Sequence, residues 1–233
     1  MINQVFNKTS WGVEVIPEIS ANTSIIWMHG LGASCEDFVP IIEQFNFTKD
    51  NNIRFLFPNA PVRPITINNG LKMRAWYDVK NLEEFLYSKQ QNEQYEGLDS
   101  SKSIIDTLVQ QEIDNGISSK RIILAGFSQG GAMALHSGLR FPNQLGGIIC
   151  LSGYLPKYNN FLQERASANQ DTPIFMAHGL FDPIVSIDLA SHSCDTLLNL
   201  NYNVLWNTYP MQHMVAAQEI LDINNFLNKV LLN

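Results

Sequence analysis

Six runs of apolar and β-branched residues recur along the chain, at Ser24–Met28, Arg54–Pro58, Arg121–Gly126, Gly147–Ser152, Pro173–His178 and Asn203–Tyr209. Most are apolar at nearly every position, as strands covered on both faces should be, rather than alternating like a half-solvated sheet. Helical patterns fall between several of them. Ser101–Asn115 carries Ile104, Ile105, Leu108, Val109 and Ile113 at helical spacing, and Gly116 supplies a C-terminal stop. Val185–Leu200 and Val215–Leu232 read the same way. This alternation predicts an α/β chain with a mostly parallel central sheet and helices on both faces. The polar stretch Lys80–Ser100 reads as a surface excursion, because strand–helix alternation resumes beyond it.

Composition narrows the function classes. At 233 residues and 45% apolar content the chain suits one domain, 1–233, with a full-sized core. The formal charge of −7, from 15 Lys+Arg against 22 Asp+Glu, argues against a phosphate-backbone partner, so no nucleic acid is expected. Neither a secretory leader nor an apolar stretch of membrane-spanning length is legible. Cys35, Cys150 and Cys194 are scattered, with no ligand spacing, which fits buried thiols in a reducing, cytoplasmic compartment. The absence of HExxH, GxxxxGK[ST] and GxGxxG leaves no metal or nucleotide motif, and no cofactor is expected.

The most informative stretch runs from Arg121 to Leu135, RIILAGFSQGGAMAL. It places Gly126-x-Ser128-x-Gly130 between an apolar strand and a helix of small residues, the context of the nucleophile elbow of the α/β-hydrolase fold. The motif alone arises by chance in roughly one chain in ten of this length; the strand before it and the helix after it supply the specificity. Ser128 is the expected nucleophile.

A serine needs a base and the base an orienting acid, in this fold in the order Ser, Asp, His. Asp182 lies in the loop after the strand Pro173–His178, with Pro183 placed to open the next helix. A helix cap is the rival role for that aspartate. Of five histidines, His29 precedes the serine, His136 lies within the helix after the elbow, His178 precedes Asp182, and His192 sits on the polar side of a helix. His213 remains, in the loop after the last strand. Backbone N–H donors for a developing oxyanion are expected from Gln129, after the nucleophile, and from the early loop His29-Gly-Leu31-Gly32, with Leu31 the second donor.

With these residues placed, the chain resembles the acyl-protein thioesterase, lysophospholipase and carboxylesterase family. The resemblance rests on HGLGAS at 29–34, FPNAPVRPITINNG at 57–70, AWYDV at 75–79, GFSQGG at 126–131, LSGYLP at 151–156, HGLFDPIV at 178–185 and YPMQHMV at 209–215. It spans nearly the whole chain and implies the same triad, Ser128, Asp182 and His213. It also implies an acyl pocket near 63–76, with Leu31, Leu71, Met73, Trp76 and Tyr154 as walls, although ordinary core packing competes for Met73 and Trp76. The segment 63–76, with Pro64, Asn68, Asn69 and Gly70 among its apolar residues, reads as a mobile flap. Asn59 and Tyr154 stand where relatives carry histidine and tryptophan, which bears on acyl preference rather than on the reaction. The implied activity is a serine carboxylesterase acting on esters or thioesters. Its substrates would be small acyl esters, lipid-like molecules or acylated proteins, met without more than transient membrane contact. The alternatives are a lysophospholipase or depalmitoylating thioesterase for longer acyl groups, and a binding module on an inactive hydrolase scaffold.

Overall fold

The computed structural model describes residues 4–47, 52–80 and 95–232. Along the chain come β1 Gln4–Lys8, β2 Gly12–Pro17, β3 Thr23–Met28, β4 Ile53–Pro58, β5 Val62–Ile65 and β6 Leu71–Arg74. There follow α1 Leu98–Asp114, β7 Ile122–Phe127, α2 Gln129–Gly138, β8 Gly147–Leu151 and α3 Tyr158–Glu164. The last elements are β9 Ile174–Gly179, α4 Ile187–Asn199, β10 Val204–Tyr209 and α5 Ala217–Leu231.

The six apolar runs are β3, β4, β7, β8, β9 and β10, and these strands lie parallel to one another. The sheet order is β1-β2-β4-β3-β7-β8-β9-β10, with β1 and β2 antiparallel at one end. This is an α/β-hydrolase architecture. The two antiparallel strands escape a search for continuous apolar runs because each has polar positions, as in Val13-Glu14-Val15 of β2, where Glu14 is only partly buried. Most of the Lys80–Ser100 excursion (81–94) lies outside the described residues, and α1 opens at Leu98 before the excursion's end.

Each central strand feeds both faces. Ile26 and Met28 of β3 share one core layer with Ile105, Leu108 and Val109 of α1, residues of α2, and Leu189 and Leu197 of α4. Ile25 and Trp27 face the opposite layer with Ile223, Phe226 and Leu227 of α5. Side chains on a strand alternate between faces, so a strand covered by helices on both must be apolar throughout. Gly116 ends α1 at φ 94°, a backbone angle that glycine adopts without a Cβ clash. Among the described residues, no helix is long and apolar enough to cross a membrane.

A buried carboxylate holds the start of α5. Glu219 is fully buried and accepts the Ala216 N–H at 3.2 Å. Burial, with the neighbouring Asp222 charge adding to it, pushes its carboxyl up from 4.5 to about 7. Because the folded value lies above the unfolded one, the native state binds the proton more tightly. Glu219's contribution is therefore fully present below about 4.5 and is lost as pH rises through about 7. Glu219→Gln keeps the acceptor without the charge. It is expected to raise Tm at pH 8 by several degrees and at pH 5 by much less, since each kcal/mol moves Tm by roughly 2–4 °C in a domain of this size. Equal shifts at the two pH values, read by calorimetry, would contradict the assignment.

Candidate active site

The elbow is built as its glycines require. Ser128 joins β7 to α2 at φ 56°, ψ −120°, a left-handed conformation that a non-glycine residue holds only when its surroundings enforce it. Added at Gly126, a Cβ would lie 2.3 Å from the Gly130 carbonyl oxygen; at Gly130 it would lie 2.2 Å from that of Met28. Both are backbone contacts that cannot yield, so the turn against the end of β3 accepts only glycine there.

Asp182 follows β9 and His213 follows β10, so sheet order carries both to the carboxyl end of β7. His213 Nδ1 lies 2.6 Å from Asp182 Oδ2, and Nε2 lies 2.8 Å from Ser128 Oγ. A carboxylate can only accept, so Nδ1 carries the proton and the Nε2 lone pair faces the serine hydroxyl, which donates to it. The Asp182 side chain has no solvent exposure, and His213 retains 16%. Phe127 packs against the imidazole at a centroid distance of 4.7 Å. The aspartate is held by its own turn, its Oδ1 accepting the Ile184 N–H at 2.8 Å and the Val185 N–H at 3.0 Å. It does not cap a helix. Ser186 caps α4, which opens at Ile187 rather than at Pro183, because the Asx turn occupies 182–185.

His178 fits the elimination that set it aside, yet it lies against the same turn. Its Nε2 donates to the Val185 carbonyl at 2.8 Å and is 3.5 Å from Asp182 Oδ2, too far for a second direct bond. Burial pushes its pKa down and keeps it neutral. His136 is fully buried in α2, near Asp99, and His192 is exposed on α4.

Leu31 lies in the loop after β3, and Gln129 is the first residue of α2. Among the described residues, neither N–H has an acceptor, and both residues line the cleft that holds Ser128 and His213. The orphan amides at the start of α2 also direct partial positive charge there. The two donors expected from the sequence thus come together beside the serine.

The cleft measures about 670 Å³. Its apolar walls include Phe38, Ile67, Val79, Phe127, Ile184 and Val185, with Tyr77 and Tyr154 at one side. The two phenols meet at 2.7 Å, and burial holds both well above the ordinary phenol range, so they stay protonated. Leu31 and Tyr154 stand where the resemblance placed them. Leu71, Met73 and Trp76 do not line this cleft. Segment 62–74 forms a two-stranded hairpin, β5 with β6, and so is paired rather than open loop. Leu71 is 64% exposed, while Trp76 is wholly buried behind the elbow. From the hairpin it is the turn that reaches the cleft, through Ile67 and Asn68. Asn59 likewise lies off the cleft, its side chain accepting the Cys35 N–H at 3.0 Å. The unanticipated lining residues Tyr77, Val79, Ile184 and Val185 flank Trp76 and Asp182 in the AWYDV and HGLFDPIV motifs, so adjacency to those positions was their one sequence signal.

Known proteins resemble this chain in sequence and in fold. The sequence profile of the Phospholipase/Carboxylesterase family matches residues 13–231. Acyl-protein thioesterase 1 of Gibberella zeae is 39% identical over 222 residues, 93% of this chain and 94% of that protein. The Neurospora crassa protein of the same name is 39% identical over 92% of this chain and 90% of its own. Among solved structures, Arabidopsis thaliana SOBER1 superposes with a TM-score of 0.83 at 31% identity, covering 91% of this chain and 100% of that one. Zea mays acyl-protein thioesterase 2 gives 0.79 at 27% identity over 94% and 97% of the two chains. The chain therefore belongs to the phospholipase/carboxylesterase family, serine hydrolases of the α/β-hydrolase fold.

Proposed function

We propose that this protein removes acyl groups from thioesters and carboxylic esters, acylated proteins and lipid-like esters among them, through an acyl-enzyme on Ser128. The observation that carries the reading is the Ser128–His213–Asp182 chain, with links of 2.8 and 2.6 Å, opening into an apolar cleft. Ser128 Oγ attacks the acyl carbonyl as His213 Nε2 takes its proton. The Asp182 carboxylate holds the imidazole in the Nδ1–H tautomer and offsets the charge it gains. The Leu31 and Gln129 N–H groups receive the oxyanion. His213 then gives its proton to the leaving thiol or alcohol, and a water activated by the same nitrogen releases the acid. Relatives named acyl-protein thioesterases support the thioester half of this reading. Three buried, free cysteines agree with a cytoplasmic setting. The whole of 1–233 is read as one catalytic domain.

A fluorophosphonate probe should label Ser128, and a medium-chain acyl thioester should compete with it. Labelling of another serine, or no thioester or ester turnover by labelled-competent protein, would overturn the reading.

Acyl length should be read by the walls that line the cleft. Each methylene buried contributes about 0.8 kcal/mol, or roughly fourfold in kcat/KM. Ile67 and Ile184 are 43% and 54% exposed, so replacing both with serine costs little stability. The double variant is expected to flatten the rise of kcat/KM from acetyl to octanoyl substrates, whereas Leu71→Ser leaves the slope unchanged. Parallel profiles for parent and double variant would remove these residues from the acyl site.

A further inference from the structure

Trp76 touches neither the cleft nor the triad, yet it is hydrogen-bonded to both segments that carry an oxyanion donor. Its backbone N–H donates to Gln129 Oε1 at 2.8 Å, and its indole Nε1–H donates to the His29 carbonyl at 2.8 Å. Around these two bonds lies a closed set of partners. Gln129 Nε2 donates to the Tyr77 carbonyl at 2.8 Å, so the Gln129 amide clasps the 76–77 backbone from both sides. His29 Nε2 accepts the Ala60 N–H at 3.0 Å, which places the ring proton on Nδ1, and Nδ1 donates to the Gly30 carbonyl at 2.7 Å. The Ser101 hydroxyl donates to the Trp76 carbonyl.

We infer that Trp76 is a positioning residue that fixes the separation and orientation of the Leu31 and Gln129 N–H groups. The reading rests on the proposed acyl-enzyme chemistry. The Gly30 carbonyl and the Leu31 N–H belong to one planar trans peptide, so holding the oxygen fixes the direction of the N–H. The indole bond to the preceding carbonyl pins the peptide before it. Gln129 stands at the first position of α2, where its N–H has no helical acceptor, and its side chain anchors that residue to the same tryptophan. The two donors arise from distant parts of the sequence, and among the described residues Trp76 is the one bonded to both segments. Donors act on a transition state through placement, and a displacement near 1 Å can cost about 10²-fold.

Trp76→Phe keeps one aromatic ring and removes the indole donor; Gln129→Met removes the side-chain clasp and leaves the Gln129 backbone N–H in place. Each is expected to lower kcat by about 10- to 100-fold with KM within about twofold. Affinity for an alkyl boronic acid, which forms a tetrahedral adduct on Ser128, should fall in parallel. Affinity for a non-hydrolysable ether analogue of the substrate should hold, as should the pH profile of kcat/KM. A merely structural tryptophan would lower Tm without separating the boronate from the ether. Unchanged boronate affinity in either folded variant overturns the positioning role. Failure of the parent itself to form a boronate adduct on Ser128 instead overturns the catalytic reading, and this inference with it.

Discussion

Turnover of Ser128→Ala is expected to fall by on the order of 10⁶-fold, the loss seen when a triad nucleophile is removed, with the fold intact. The elbow demands small neighbours at Gly126 and Gly130, where added atoms would meet backbone within 2.3 Å, but it already accommodates a Cβ at 128. Alanine keeps that Cβ and the left-handed backbone angle and deletes only Oγ. His213 Nε2 then loses its partner while Nδ1 remains tied to Asp182. The variant should therefore melt within a few degrees of the parent, resist the fluorophosphonate, and still bind substrate. Residual hydrolysis within about a hundredfold of the parent, in protein free of parent contamination, would place the nucleophile elsewhere.

Asp182→Asn is expected to cost about 10⁴-fold in kcat, for a reason the turn geometry makes specific. Oδ1 is committed to the Ile184 and Val185 N–H groups, and an asparagine carbonyl can keep both bonds. Its amide nitrogen must then face His213, where Oδ2 had accepted. Two donors cannot share that contact, so the imidazole moves its proton to Nε2 and directs it at Ser128 Oγ, which can no longer surrender its own. Ester and thioester substrates should not suffer equally. A thiol, with an ordinary pKa near ~8.5, departs with less help from a proton than an alcohol does, so the loss should be smaller for a thioester than for its matched ester. Paired kcat/KM values test both statements. Near-parent activity would mean that another group holds the histidine.

The proposed triad was legible in the sequence because chemistry restricts the residue types and the fold restricts their order. His213 was found by excluding four other histidines, and its 2.6 Å contact with Asp182 is what that order implies in space. Strands were legible wherever both faces are covered. The cleft wall was legible only at Leu31 and Tyr154, since which side of a segment meets a cleft depends on partners far along the chain. Trp76 illustrates this: apolar, and within a motif beside the site, it packs behind the elbow instead of in front of it. Leu71 and Ile65 are paired across the hairpin, yet one is exposed and the other wholly buried. Only the tertiary placement of that hairpin separates them. Ile67 belongs to the apolar residues of the 63–76 segment read as a flap over the acyl site, and the Val79 carbonyl, which accepts its N–H at 2.8 Å, ties the turn to the cleft.

β10 closes the sheet at its edge, with β9 as its one paired neighbour among the described residues, and the loop that carries His213 leaves directly from its end. Ser128 leaves β7, deep in the sheet, and the proposed base is therefore mounted on a less protected element than the proposed nucleophile. Less protected parts of a fold open locally at lower free energy than its core strands, so a local excursion at this edge is expected to withdraw His213 while β7, the elbow and most of the core stay folded. Heat inactivation is then expected to precede global unfolding, at a temperature set by how firmly one outer strand and the helix after it hold to the rest.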